Sequence, residues 1–208
     1  AWDFEARAGL VAPTVFREVW AELNRRTWND EKAAGMERMT WPASQVMVDL
    51  VVNRPDAEWF DDRTTPGREI LADIVGPAFR AAVANLEERL GPPGEAWHWG
   101  RVKKTQLRHL ARIPGFGLEL PGADGAGHVI NAIDSVWAPS WRTVIELGPE
   151  VRAWGAYPGG QSGNPGSRFY RDAVDDWAAG RPYELIFLKS ADEEHPAVVA
   201  RTVMRGGR

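Results

Sequence analysis

A serine inside a glycine-rich stretch is the first residue whose type and spacing suggest chemistry. Ser162 lies in the sequence Gly-Gln-Ser-Gly-Asn, within the nine-residue segment 159–167. A nucleophile elbow needs G-x-S-x-G directly before a helix, and here Asn164 takes the place of the last glycine. The predicted helix also begins several residues after the serine. The sequence therefore disfavours a nucleophile elbow at Ser162.

The same segment could present backbone N–H groups to an anion, because it precedes a predicted helix. The phosphate-binding pattern G-x-x-x-x-G-K-[ST] is absent, however, and no lysine directly follows the segment. Four glycines and a proline among short polar residues indicate a structured loop in which backbone fills the space. Ser167 is placed to cap an amphipathic helix over residues 168–179.

Histidines and charged residues give no persuasive catalytic constellation. No pair of histidines has a helical metal-ligand spacing, which disfavours a metal site. His98, between two tryptophans, is a possible general base, but a solvent-facing or hydrogen-bonded strand residue is the favoured interpretation. Adjacent carboxylates diverge on a helix, so Asp61-Asp62 is interpreted as capping and Asp175-Asp176 as a solvated face. The remaining residues of interest are His109, His128 and His195, and a basic stripe interpreted as a solvated strand edge: Arg101, Lys103, Lys104, Arg108 and Arg112.

Helices are predicted to dominate residues 1–94. Apolar residues recur at helical spacing from Val15 to about Trp28, with Pro13 in the first turn. A second apolar segment, 46–52, follows Trp41-Pro42 and is stopped by Asn-Arg-Pro. The stripe over 70–90 predicts a long core-facing helix, which Gly-Pro-Pro-Gly ends.

Short strands are predicted to dominate residues 95–208. The segments are β-branched and aromatic and are broken by glycine and proline, and a hairpin turn is predicted at 148–150. The two parts together indicate an α+β protein in which 1–94 and 95–208 form one structural unit. The strand-like segments are 97–99, 129–136, 143–147, 151–157, 183–188 and 197–204.

Composition limits the functional classes. The 208 residues suffice for one large domain or two small ones, and a net charge of −4 disfavours nucleic acid and anionic membranes as partners. No apolar run approaches the roughly 20 residues of a membrane-spanning helix. The polar start shows no signal peptide, so we expect a cytosolic protein or a mature, processed product. The absence of cysteine excludes disulfides and thiolate catalysis, and the eleven tryptophans favour a large core or a wide apolar cleft.

Several blocks of this sequence resemble, in order, the C-terminal third of penicillin amidase family proteins, which are acylases of the N-terminal nucleophile hydrolase superfamily. The match is strongest over 97–188, and its most specific part is the loop 159–167. Lys103 stands where the family often has histidine, and His109-Leu110 lacks the proline of the common H-P-L. The other blocks are 59–62, 97–100 (W-x-W-G), 128–132, 139–147, Phe169-Tyr170 with Asp172 and Trp177, and Gly180 with Tyr183 and Phe187.

The resemblance implies a four-layer αββα sandwich, to which this chain supplies strands and covering helices. It also implies amide hydrolysis without a cofactor, in which an N-terminal serine attacks the acyl carbonyl and its α-amino group acts as the base. Ala1 has no hydroxyl or thiol, so we expect the nucleophile to lie outside this chain. No catalytic, cofactor-binding or metal-binding residue is therefore assigned here, and any calcium ligands of the full-length family are expected elsewhere.

The expected role is the C-terminal structural portion of an acylase β chain that is inactive alone. The implied partners are other chains or segments of the same precursor and a small N-acyl substrate, with no nucleic acid and no membrane span. The resemblance also implies a periplasmic or secreted location. Two alternatives remain: a non-catalytic binding or scaffold domain of acylase-like architecture, and an unrelated enzyme that uses Ser162 or His98.

Overall fold

The computed structural model describes residues 2–33, 35 and 42–206, and within them five α-helices and five short strands form. This mixture confirms the predicted α+β class. Ala1 and Trp41 lie outside the described residues. The helices are α1 (Ala12–Ala33), α2 (Ser44–Asn53), α3 (Leu71–Leu90), α4 (Trp99–Lys103) and α5 (Val174–Ala178); the strands are β1 (Gln106–Leu107), β2 (Leu118–Glu119), β3 (Arg142–Glu146), β4 (Arg152–Ala156) and β5 (Tyr183–Leu185).

The chain divides into two compact units, residues 1–138 and 139–208. In the first unit α1 packs against α3, and residues of α2 complete the apolar core between them. Among the described residues, no helix combines the length and apolar character that crossing a bilayer requires. That the predicted parts 1–94 and 95–208 behave as one unit stays a prediction. The core residues are Leu23, Trp28, Met47, Leu50, Phe60, Ile74 and Ala78.

The three long helices confirm the periodicity of the first ninety residues. Pro13 lies in the first turn of α1, where its missing N–H costs no helical hydrogen bond. The Asp73 carboxylate accepts the backbone N–H of Ile70 at 3.0 Å and so satisfies a donor at the start of α3. Gly91 ends α3 at a φ of 78°, a conformation that favours glycine.

In the second unit, β3, β4 and β5 form an antiparallel sheet in that order. The register pairs Val144 with Trp154 and Trp154 with Glu184, and the connection between β3 and β4 is the predicted hairpin at 148–150. Trp177 of α5 is fully buried, and its indole N–H donates to the Pro139 carbonyl at 3.1 Å. This hydrogen bond connects α5 to the segment that precedes β3.

Three strand predictions are wrong. Residues 97–99 form a 3₁₀ turn and the start of α4, because the N–H groups of Trp99 and Gly100 donate to carbonyls of the segment 8–10. Residues 129–136 form bends and irregular backbone, in which the Asn131 carbonyl accepts the N–H of Ala126. Residues 197–204 form neither helix nor strand.

The helix predicted over 168–179 is limited to α5, so that prediction is wrong in its first half. Ser167 does not cap it: the Ser167 hydroxyl accepts the Phe169 N–H at 3.2 Å in a turn that precedes the helix. The capping role of Asp61-Asp62 is wrong as well. Those carboxylates accept the N–H groups of Glu69 and Thr64, within the loop before α3.

Candidate functional site

An apolar cavity of about 400 Å³ lies in the first unit, on one side of α1. One wall comes from α1 and the N-terminal segment, a second from α2, and a third from the segment 126–134. Aromatic and aliphatic side chains dominate the walls, and the charged or polar groups are few. The main apolar side chains are Trp2, Phe4, Phe16, Trp20, Val48, Val51, Val52, Trp99 and Val129, joined by Arg17, His128 and Asp134.

The aromatic wall of the cavity is a continuous series of ring contacts. Trp2 lies 5.4 Å from Phe4 and 5.7 Å from Phe16, and Phe16 stacks on Trp20 at 6.0 Å. Phe4 is 81% exposed and Phe16 is 54% exposed. The cavity is therefore an open apolar surface, suited to an apolar ligand or to covering protein.

The Lys103 ammonium lies 5.7 Å from the ring centre of the cavity residue Trp99, and Lys103 is 2% exposed, so the predicted solvated position is wrong. Its ammonium donates to four backbone carbonyls: those of Ala123 at 2.8 Å, Asp124 at 3.2 Å, Gly125 at 3.0 Å and Ile133 at 3.0 Å. The Lys103 ammonium can be buried without a paired carboxylate because these carbonyl oxygens accept the hydrogen bonds that water would otherwise accept.

Burial lowers the pKa of Lys103 to about 8, while the negative charges of Asp134 and Asp124 act in the opposite direction. At neutral pH the side chain is therefore mainly an ammonium. The other four basic residues of the predicted stripe, Arg101, Lys104, Arg108 and Arg112, are exposed.

The W-x-W-G segment joins three parts of the chain around Lys103. Trp99 donates its indole N–H to the Gly125 carbonyl at 2.6 Å, and its backbone N–H to Leu10. Gly100 allows close packing, because a Cβ there would overlap the Pro121 carbonyl. The sequence signals for this junction were the W-x-W-G block and the replacement of the family's common histidine by Lys103.

The loop 159–167 is structural, as predicted. The Ser162 hydroxyl accepts the Asn164 N–H at 3.1 Å, and the Asn164 side-chain oxygen accepts the Gly166 N–H at 2.9 Å. The Ser162 N–H donates to the Phe169 carbonyl at 3.0 Å, which folds the loop onto the following turn. A Cβ at Gly160 would overlap that same carbonyl.

The four histidines have separate local surroundings. The second unit contains one histidine, His195, whose Nδ1 accepts the Ala197 N–H at 3.1 Å in a local turn. His98 is half-buried at the start of α4, not on a strand, and His128 lines the cavity. His109 packs edge-on against Phe116 at 5.6 Å. Within the described residues no group of three or more histidine, aspartate and glutamate side chains is arranged to hold a metal.

Two buried glutamates of α1, Glu22 and Glu31, are paired with arginines. The Arg25 guanidinium hydrogen-bonds the buried Glu22 carboxylate and lowers the pKa of Glu22, against the effect of burial. Burial, with Asp30 beside it, raises the pKa of Glu31, although Arg63 donates to this carboxylate at 3.2 Å. The first pair lies in the middle of α1 and the second near its C-terminal end, and both have structural roles.

The sequence profile of the penicillin amidase family matches residues 1–194, and the chain belongs to this family. The match extends through both compact units. It therefore confirms the resemblance found in the W-x-W-G segment and the loop 159–167.

Similar proteins include three acyl-homoserine lactone acylases named QuiP. The protein from Pseudomonas aeruginosa is 28% identical over 159 residues, which cover 64% of this chain and 19% of the relative. The protein from Pseudomonas syringae pv. tomato is 29% identical over 161 residues, and that from Pseudomonas putida 30% over 163 residues; each alignment covers 71% of this chain and 19% of the relative. The chain thus spans about a fifth of the length of these relatives.

Proposed function

We propose that this chain is the C-terminal structural portion of a penicillin-acylase-like amidohydrolase, which cleaves the amide bond of N-acyl compounds. Family membership over 1–194 supports the reaction class. The relatives are named acyl-homoserine lactone acylases, so N-acyl-homoserine lactones are the first substrates to test. The nucleophile belongs to a part of the protein outside this chain, and no cofactor is required.

In the proposed reaction an N-terminal nucleophile attacks the acyl carbonyl, and the amine leaves with the proton that the α-amino base took from the nucleophile. Water then releases the acid from the acyl-enzyme. In this proposal the described residues supply neither nucleophile nor base; the turn hydrogen bonds accepted by Ser162 and His195 support it. Their role is to support a four-layer αββα sandwich and to carry the surfaces on which the catalytic part rests.

The observation that carries this proposal is the apolar surface exposed in each unit. In the first unit it is the open cavity beside Phe4 and Phe16. In the second it is the edge strand β3, where Val144 is 61% exposed and Ile145 is 53% exposed. An unpaired edge with apolar side chains needs a covering partner, and other segments of the same precursor are the proposed cover. A periplasmic or secreted location is proposed from the family resemblance alone.

The test is denaturing intact-mass analysis and N-terminal sequencing of the protein from its native source, followed by assay with N-acyl-homoserine lactones. We expect a chain that begins with serine, threonine or cysteine, and release of free homoserine lactone that stops when this first residue is replaced by alanine. A single active species of about 23.1 kDa that begins at Ala1 would contradict an external nucleophile.

The second candidate is a non-catalytic binding domain, which the apolar cavity of about 400 Å³ favours. The two functions differ in turnover. Saturable binding of an N-acyl-homoserine lactone, without amine release by the intact protein, would favour the binding domain. Amine release would favour the acylase.

A further inference from the structure

We propose that the backbone carbonyls of Ala123, Asp124, Gly125 and Ile133 form a binding ring for an ammonium group. In this chain the side chain of Lys103 occupies that ring. Lys103 is thereby a positioning residue for the segment that carries these carbonyls, and an emptied ring should accept a small primary ammonium ion.

The geometry favours a group with several N–H donors at the centre of the ring. Four carbonyl oxygens lie 2.8 to 3.2 Å from one nitrogen, and their negative ends would repel one another without it. Lys103 is 2% exposed, so water cannot readily replace it. An ammonium offers three N–H donors, and the longest of the four contacts, to Asp124, is the weakest.

Other charges around the ring favour a cation as well. The carboxylates of Asp134 and Asp124 attract the ammonium electrostatically. The Trp99 ring centre lies 5.7 Å from the nitrogen and presents its π-system to it. The Arg17 guanidinium lies 4.8 Å from the centre of the Trp99 ring, and its positive charge acts in the opposite direction.

The ring has a consequence for the cavity, because the same segment forms one of its walls. Ala126, Gly127, His128 and Val129 line the cavity between the ring carbonyls at 125 and 133. The Lys103 ammonium hydrogen-bonds both ends of this wall, at the Gly125 and Ile133 carbonyls. Loss of the ammonium should therefore release the wall while α1 and α3 stay folded.

The test measures hydrogen exchange of the amides of residues 123–135 in the intact protein, by mass spectrometry. Lys103→Met keeps the side-chain volume and removes the donors, so we expect exchange in this segment to become at least tenfold faster. Lys104→Met is the matched control, because Lys104 is exposed, and it should leave the exchange unchanged. Unchanged exchange in Lys103→Met would overturn the proposal.

Chemical rescue then tests the ring itself. In Lys103→Ala, ammonium or propylammonium ions should restore slow exchange in 123–135, whereas tetramethylammonium, which has no N–H donor, should not. Equal rescue by all three ions would mean a general salt effect and would overturn the ammonium ring. Hydrogen exchange is measured without substrate, so it tests the carbonyl ring independently of catalysis. A negative exchange result would not contradict the proposed amide hydrolysis, and a lack of acylase activity would not contradict the carbonyl ring.

Discussion

Trp99 and Lys103 share one acceptor: the Gly125 carbonyl receives the indole N–H at 2.6 Å and the ammonium at 3.0 Å. Both donors come from α4, one turn apart, and both are buried. The Gly125 N–H in turn donates to the Ala6 carbonyl. The backbone of this one residue therefore connects α4 to the N-terminal segment and to the cavity wall.

Replacement of Trp99 by phenylalanine should lower the free energy of unfolding by about 1–2 kcal/mol, because a buried hydrogen bond is lost while most of the apolar contact is kept. Denaturant unfolding followed by circular dichroism measures the change. Trp137→Phe is the control, since Trp137 is 76% exposed and should have little effect. Equal stability of the two variants would contradict the role of the Trp99–Gly125 bond.

Gly100→Ala should destabilise the first unit by about 1–3 kcal/mol, because the new methyl group would meet the Pro121 carbonyl and the Ala8 side chain. The matched control is Gly122→Ala in the neighbouring segment, where no atom lies within 4 Å of the added carbon. Thermal unfolding of both variants measures the difference. An unfolding temperature of Gly100→Ala at or above that of the control would be inconsistent with close packing at the junction.

Sequence reasoning succeeded where local periodicity decides structure. The apolar stripes of α1 and α3 and the stop at Gly91 follow from spacing and from glycine and proline chemistry. The prediction for Lys103 was wrong, because a run of basic residues in a sequence indicates a solvent-exposed surface. The carbonyls that bury this side chain come from residues 20 to 30 positions further along the chain.

The same limit explains the incorrect elements in the second half. Trp97 and Trp99 alternate as in a strand, but each indole N–H is used by a carbonyl of another segment, at Gly91 and Gly125. The start of the predicted helix at 168 is replaced by turns because Ala173 donates to Gly159 across the loop. Tertiary hydrogen bonds outweighed local propensity in both places.

The loop 159–167 offers a matched pair of glycines. Gly160→Ala should destabilise the second unit by about 1–3 kcal/mol, because a Cβ would overlap the Phe169 carbonyl and the Asp172 carboxylate. Gly163→Ala, with open space around it, should be neutral within about 0.5 kcal/mol. Hydrogen exchange of residues 159–173 measures both changes. Similar exchange in the two variants would argue against close packing of the loop.

Ser162→Ala should leave acylase activity of the intact protein within about twofold of the wild type, because the Ser162 hydroxyl accepts the Asn164 N–H in a local turn and the proposed nucleophile lies outside this chain. Release of free amine from an N-acyl-homoserine lactone measures the rate. The control is alanine substitution of the protein's N-terminal nucleophile, which should abolish release. Loss of activity in Ser162→Ala, with a normal unfolding temperature, would revive the serine hypothesis.

The pH dependence of stability should carry a contribution from Lys103. Its pKa is about 8 in the folded chain and has the ordinary value of 10.5 when unfolded, so between these values the unfolded state binds more protons. The free energy of unfolding then rises with pH across this window and is independent of this group below it. Lys103→Met removes that rise, whereas Lys104→Met keeps it. Denaturant unfolding of the three proteins from pH 7 to 10.5 measures the slopes, and parallel curves for wild type and Lys103→Met would contradict a lowered pKa.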